Sequence, residues 1–489
     1  MALCSSLLRP RLRLFGCWRH AMRTHVETRI AAVALVLGAA VPGGGDEVDR
    51  YVEARMGGLH IPGLSLAVVR DGRVVKARGY GFANLELRVP ATEATAYEIG
   101  SNTKQFTAAA VMMLVEEGKI GLEDNVGKYF PAAPPSWGGI TVRHLLTHTS
   151  GIQNHVAVPG YLRDFRTNLL FETSPGRDEI VAKFLALPRE FQPGETWAYD
   201  NTGYYLLGII VEKASGKPYW QFLDERIFGP LGMTASRNTD PQPLVPNRAA
   251  GYAWTGQSFE NRPVLAPFIG FSAGSILSTV EDLAKWDAAL YGDALLQRAS
   301  RERMWTPTRT NDGTPAALDY GFGWFIDSYH GHRIVQHSGG TPGFSSAIYR
   351  FLDDRLTVIV LTNHGDTILD QLSIDIAGFY EPTLRRRDGA DPDPQTSRQL
   401  QEAFSGLSQA RHDPGRFTPP MALFLTTATG KAFWEWIASL GELSSFTFSD
   451  REEMESGRVL RYRVVLGGNP YWFSALLAKD GRIAQIRWW

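Results

Sequence analysis

Apolar and polar positions along the chain follow two periods, and the switch between them outlines the architecture. Residues 46–56 carry apolar side chains at helical spacing and predict an amphipathic helix. Residues 64–69 and 74–78 are β-rich runs joined at Asp71-Gly72, the composition of a tight hairpin. After a small-residue turn, an apolar run predicts a helix that starts near Ser101, continues to about 117 and stops at Gly118. From there to about residue 300 the pattern is helical with long loops. Thr141 can cap a short helix at 142–146, and a turn-rich stretch at 193–203 leads into a helix near 204–215 closed by Gly216. A further helix is expected at 219–227. Ser278-Thr279-Val280-Glu281 reads as a capping box opening another, through Leu290. β-like runs then return at 323–326, 333–336, 346–351 and 356–361, the last two flanking a hairpin at Asp353-Asp354. Strands at both ends with helices between them predict one antiparallel sheet built from both halves, flanked by helices with an inserted helical region, an α/β (α+β) class.

Residues 386–397, charged and rich in Asp-Pro, read as a linker. Beyond it, 398–489 shows helical segments around 399–408 and 430–440, then four strand-like runs, the last two joined at Asp480-Gly481. This predicts a small α+β domain with the element order of cystatin or NTF2-like folds. At the other end, Arg9, Arg11, Arg13, Arg19, Arg23 and Arg29 precede an apolar run at 30–41 with Gly38 and Ala40 near its end. Residues 1–40 therefore read as a targeting segment, with cleavage after Ala40 and a second candidate start at Met22. Export to the periplasm or outside is the reading preferred; an organelle transit peptide is the alternative. The run is too short for a comfortable membrane span, so no stable span is expected after its removal. Cys4 and Cys17 both lie upstream of the cleavage point, which leaves no thiol for disulfides or metal in the mature chain.

The 489 residues carry a net charge of −1 and are 44% hydrophobic, enough for a large core at 45–385 and a further domain. A balance this near neutrality offers no electrostatic attraction for nucleic acid or an anionic membrane. No glycine loop follows a strand in a phosphate-binding arrangement, so no cofactor is expected.

The chemistry concentrates in three places. Ser101 and Lys104 stand three residues apart at a helix start, so the amine can reach the hydroxyl, and no other serine is followed by a lysine at that spacing. A lysine in a partly desolvated pocket can take the proton of a serine nucleophile, and a helix N-terminus favours developing negative charge. The second place is Tyr199-Asp200-Asn201. The third is His337-Ser338-Gly339 on a strand near the end of the main domain.

In this order and spacing the three motifs resemble those of the serine β-lactamase and penicillin-binding-protein superfamily, the class C-like branch with its D-stereospecific peptidases and esterases. Matching stretches include Leu145-Leu146-Thr147-His148-Thr149-Ser150-Gly151, Pro230-Leu231-Gly232-Met233 and His337-Ser338-Gly339-Gly340-Thr341-Pro342-Gly343; the resemblance covers roughly 45–385. It implies Ser101 as acyl-accepting nucleophile, with Lys104 and Tyr199 sharing the proton work. Asn201 would orient substrate and Lys104, and His337, Ser338, Gly339 and Gly340 would line the substrate site. The N–H groups of Ser101 and Gly340 would form the oxyanion hole. The chain departs from true class C lactamases at His337, where they carry a lysine that binds the antibiotic's carboxylate. A neutral histidine lacks that charge, which favours peptide, amide or ester substrates. Asp200 also stands where family members often have serine.

The expectation is an exported serine hydrolase acting on a small molecule or a short peptide or ester, with its oligomeric state open. β-Lactam hydrolysis is the alternative within enzymes, and a non-catalytic sensor or scaffold the alternative outside them. Gly270-Phe271-Ser272-Ala273-Gly274 matches the nucleophile-elbow pattern of α/β-hydrolases, but the next helix is expected too late for an elbow, so Ser272 is assigned to a glycine-rich turn. His144 and His148 have helical metal-ligand spacing without the accompanying glutamate, and are read as packing residues.

Overall fold

The computed structural model describes residues 45–157, 176–263, 267–365, 367–386, 389–409, 411 and 413–488. The chain divides into two units, Met1–Gly45 and Asp46–Trp489, and the expected targeting segment lies outside the described residues.

The main sheet draws on both ends of the catalytic portion, as the β-like runs predict. Its strands are β1 (Gly63–Arg70), β2 (Arg73–Asn84), β3 (Val89–Pro90), β4 (Phe325–Tyr329), β5 (His332–Thr341), β6 (Phe344–Phe351) and β7 (Leu356–Thr362), in the order β3-β2-β1-β7-β6-β5-β4. The β1–β2 hairpin closes at Asp71-Gly72 with both residues left-handed (φ 53° and 72°), the conformation that Asp-Gly supplies at least strain. β6 and β7 are buried along their whole length, so the sheet is covered on both faces. One face carries α1 (Glu47–Leu59), packed with residues of the helix Asp370–Tyr380. The other meets the helical region: α2 (Thr103–Glu116), α3 (Asn201–Ser215) and α4 (Val280–Ala289). α2 is buried on every side from Thr103 to Leu114, the mark of a helix at the centre of its domain. The expected α+β class, an antiparallel sheet flanked by helices, is what the structure has.

Three boundaries differ from expectation. The helix after Thr279 begins at Val280, because Ser278 still belongs to the short strand Ile276–Ser278; Thr279 is the cap, accepting from Asp282 N at 3.1 Å. α3 begins at Asn201, three residues early, because Asp200 caps it by accepting from Gly203 N at 3.0 Å. The stretch expected as linker to residue 397 becomes helical at Pro394. There Asp393 accepts from Thr396 N at 3.1 Å, and proline suits a first turn.

Past that point come α5 (Pro394–Ser408), α6 (Pro419–Thr426) and α7 (Ala428–Ser439). An antiparallel meander follows, β8 (Leu443–Met454), β9 (Gly457–Leu466), β10 (Asn469–Ala478) and β11 (Ile483–Trp488). Phe404, Trp434, Tyr462 and Phe473 fill the space between helices and sheet, and this core is continuous with the one around α2 and α3. Among the described residues no helix is long and apolar enough to cross a membrane.

Candidate active site

Ser101 sits in a 3-10 turn, Gly100–Asn102, immediately before α2 rather than in its first α-helical turn. The turn requires Gly100 at φ 51°, and a Cβ there would come within 2.7 Å of the Gly340 nitrogen. β5 therefore approaches Ser101 backbone to backbone. Gly339 faces the same constraint, since a Cβ on it would lie 2.0 Å from the Ile99 carbonyl oxygen and 2.9 Å from the Ser101 nitrogen. Gly340 is exposed, with open space where a side chain would be.

A buried chain of hydrogen bonds holds this turn. Trp286 Nε1–H donates to Gln105 Oε1 (3.0 Å), Gln105 Nε2 to Asn102 Oδ1 (2.7 Å), and Asn102 Nδ2 to Ser346 Oγ (2.7 Å). The Ser346 hydroxyl in turn donates to Ile99 O (2.7 Å). Each donor and acceptor has one assignment consistent with its neighbours, so the turn has a single orientation.

The Lys104 Nζ atom lies 3.1 Å from Ser101 Oγ, 2.7 Å from Asn201 Oδ1 and 2.7 Å from the Ala273 carbonyl oxygen. Burial pushes this amine well below the usual lysine range, with the nearby Asp200 carboxyl pulling the other way. A neutral amine has two N–H bonds and one lone pair. The two carbonyl oxygens can accept only N–H, so the ammonium form donates its third N–H to Ser101 Oγ, and the neutral form turns its lone pair to the Ser101 hydroxyl hydrogen. Tyr199 also hydrogen-bonds Ser101, and burial pushes its phenol up, which keeps it protonated. Its ring faces Lys104 Nζ at 4.8 Å from the centroid. In its neutral form the lysine is placed to take the Ser101 proton, and the tyrosine to pass a proton on.

Asn201 is free to reach Lys104 because Asp200 serves as the helix cap. Asn154, which the sequence reading passed over, orients it: Asn201 N and Nδ2 both donate to Asn154 Oδ1, at 3.3 and 3.4 Å. Burial pushes the Asp200 carboxyl up to about 7. Asp200→Asn retains the cap and removes the charge that supports a proton on Lys104. The acid limb of kcat/KM, where rate rises with pH as Lys104 loses its proton, then moves to lower pH. A pH–rate profile measures it; a limb that stays or moves to higher pH would contradict the role of Lys104.

His337 departs from expectation. Its ring is 1% exposed; Nδ1–H donates to the Ser338 carbonyl oxygen (2.5 Å), so Nε2 accepts from Tyr320 O–H (3.0 Å). Burial pushes it down to about 3. With both nitrogens engaged, His337 has no free group to offer substrate, and it packs behind Tyr199 with ring centroids 6.1 Å apart. Ser338, next on the strand, points to the other face and remains partly exposed.

Ser272 lies in the short helix Pro267–Gly274, kinked at Phe271, rather than in a glycine-rich turn. It is fully buried and donates to the carbonyl oxygens of Tyr204 (2.8 Å) and Tyr205 (3.2 Å). What this stretch contributes to the site is the backbone of Ala273. His144 accepts from Thr141 N (3.1 Å) and His148 from Asp200 N (3.0 Å), and the described residues contain no cluster of metal ligands. His148, Asn154 and Ser346 are the site-forming residues that the motifs did not single out. His148 and Ser346 lie within or beside stretches already matched to the family. Asn154 follows Gly151 by three residues and carries no pattern.

The beta-lactamase family pattern matches residues 48–379. A penicillin-binding protein of Bacillus subtilis (strain 168) is 34% identical over 330 residues, which cover 64% of this chain and 71% of the relative. Among solved structures, an octameric penicillin-binding protein homologue from Pyrococcus abyssi aligns over 90% of this chain and 99% of its own. Its TM-score is 0.59 at 23% identity, a likeness of fold that includes the C-terminal segment. A D-stereospecific amidohydrolase from Streptomyces sp. aligns over 67% of this chain and 96% of its own, with TM-score 0.55 and 28% identity. A match that runs from α1 to the helix Asp370–Tyr380 takes in every element that builds the site, and the chain belongs to the beta-lactamase and penicillin-binding-protein superfamily of serine hydrolases.

Proposed function

We propose that this protein is an exported hydrolase of amides and esters that acts through an acyl-enzyme on Ser101, with D-amino-acid amides or short D-peptides as substrates. The observation that supports the reading is the triple contact of Lys104, which in the neutral amine leaves its lone pair for the Ser101 hydroxyl. In acylation Ser101 Oγ gives its proton to Lys104 and bonds to the substrate carbonyl carbon. The oxyanion is met by the N–H groups of Ser101 and Gly340. Tyr199 protonates the departing nitrogen or oxygen as its bond to carbon breaks, and takes a proton back from Lys104. Water then attacks the ester, losing a proton by the same route in reverse, and Ser101 leaves. His337 is a positioning residue that holds the Tyr199 side of the cleft.

The choice of amide over β-lactam rests on charge. A neutral, buried His337 supplies no cation for an antibiotic's carboxylate. The D-stereospecific amidohydrolase among the structural neighbours supports the choice of configuration. Turnover of D- and L-phenylalanine amide and of a chromogenic cephalosporin tests it. D-amide hydrolysis at least about tenfold faster than the L-isomer is expected, with a covalent adduct on Ser101 in intact-mass spectra. Cephalosporin hydrolysis outpacing both amides would overturn the reading in favour of a lactamase; no turnover and no adduct would favour the sensor.

A further inference from the structure

Beside Tyr199 lies a cavity of about 250 Å³ walled by residues of the matched family region on one side and of the C-terminal segment on the other. Tyr199, Gln336 and Ser338 form one wall; Phe424 of α6, Phe433 of α7 and Trp488 of β11 form the other. The second wall is fastened to the catalytic loop. Thr429 Oγ1 donates to the Tyr199 carbonyl oxygen (3.0 Å), Thr196 Oγ1 to Pro420 O (2.6 Å), and the Ala428 N–H to Glu190 Oε1 (2.6 Å). These bonds hold the wall in register with the backbone of Tyr199. The lining is mostly apolar but also holds Asp327, Asp370 and Arg487; within it Gln336 is 8% exposed and its Oε1 has no hydrogen-bond partner among the described residues. A buried acceptor left unpaired is costly until a donor reaches it.

Position decides which half of a substrate the cavity serves. Gln336, Ser338 and Gly340 alternate onto one face of β5; the oxyanion-facing Gly340 lies toward one end of that row, and the cavity lies toward the other, at Gln336 and Ser338 beside Tyr199. Tyr199 is the group that hands a proton to the departing atom. We propose that this cavity is a leaving-group subsite, taking a large apolar or aromatic leaving group with a hydrogen-bond donor for Gln336, and that the C-terminal domain thereby sets specificity. The inference rests on the hydrolase reading above and names the group released. Because the leaving group departs when the Ser101 ester forms, the subsite acts on acylation alone; deacylation starts from an acyl-enzyme common to all leaving groups.

The methyl and 2-phenylethyl esters of D-alanine test this, since they share one acyl group and their alcohols are of similar acidity. The ratio of their kcat/KM values, phenylethyl over methyl, cancels any difference in folded fraction. Phe433→Ala is expected to lower the ratio at least about tenfold by opening the apolar wall. Gln336→Leu is expected to raise it severalfold, because a hydrocarbon leaving group cannot satisfy the buried oxygen that leucine removes. General damage would move both variants the same way. Ratios unchanged in both variants, with both esters hydrolysed, would overturn the subsite and leave the hydrolase reading standing. So would a slowed deacylation with an unchanged ratio, which would put the acyl half in the cavity. If wild type hydrolyses neither ester and takes no label on Ser101, the hydrolase reading falls and this one with it.

Discussion

Ser101→Ala is expected to abolish covalent labelling by a fluorophosphonate probe and to lower kcat/KM by at least about three orders of magnitude, with the fold intact. The size of the effect follows from the arrangement around Lys104. Lys104 Nζ contacts Asn201, the Ala273 carbonyl and Ser101, so alanine leaves it no hydroxyl to activate. The other serine in a catalytic-looking motif cannot stand in. Ser272 is fully buried with its hydroxyl committed to two carbonyl oxygens of α3. A Cβ on Gly208 would lie 2.1 Å from its Oγ, so helix and serine are in close contact. Ser272→Ala therefore keeps its label. Labelling that survives Ser101→Ala and disappears in Ser272→Ala would overturn the site assignment.

The largest effect on stability is expected far from the nucleophile, at Asp287→Ala. Asp287 of α4 and Arg350 of β6 form an ion pair with side chains 1% and 0% exposed, Nε to Oδ1 at 2.6 Å. Thr357 Oγ1 donates to the same carboxylate oxygen at 2.7 Å. The guanidinium stacks over the rings of Tyr291 and Trp305, at 4.6 and 5.0 Å from their centroids. Removing the carboxylate strands a charge where water cannot reach it, which costs about 3–5 kcal/mol. Asp287→Leu combined with Arg350→Met removes both charges and is expected to recover most of the loss. Denaturant unfolding of the two variants measures it. A loss below about 1 kcal/mol in the single variant would mean that the pair is solvated or replaceable.

How much of this was legible in the sequence depends on the distance over which each feature is decided. The nearest-neighbour features were readable. Asp71-Gly72 closes a hairpin because two successive left-handed residues are needed and these two supply them. Ser101 and Lys104 meet because three residues of helical backbone bring them together. The β-like runs on either side of the helical region were enough to predict one sheet from both halves, since each apolar face must be covered by something.

The site's finer chemistry was not readable, and His337 and Asn201 show why. Either residue of Asp200-Asn201 is a competent helix cap, and local propensity does not choose between them. Packing of α3 against the 148–155 stretch chose Asp200, which released Asn201 to a lysine 97 residues away. A histidine on a strand likewise has two faces available. Contact with Tyr320 turned this one inward, so a residue expected to meet substrate became a support for Tyr199. The Ala273 carbonyl that completes the Lys104 shell comes from 169 residues further on and has no side-chain signature. The wall over Tyr199 comes from the C-terminal segment, whose role no motif announced. Backbone geometry over three or four residues is dictated locally and can be read from residue types. Burial, orphaned acceptors and the choice of hydrogen-bond partner arise only when distant segments exclude water from the same place, and the tertiary structure decides them.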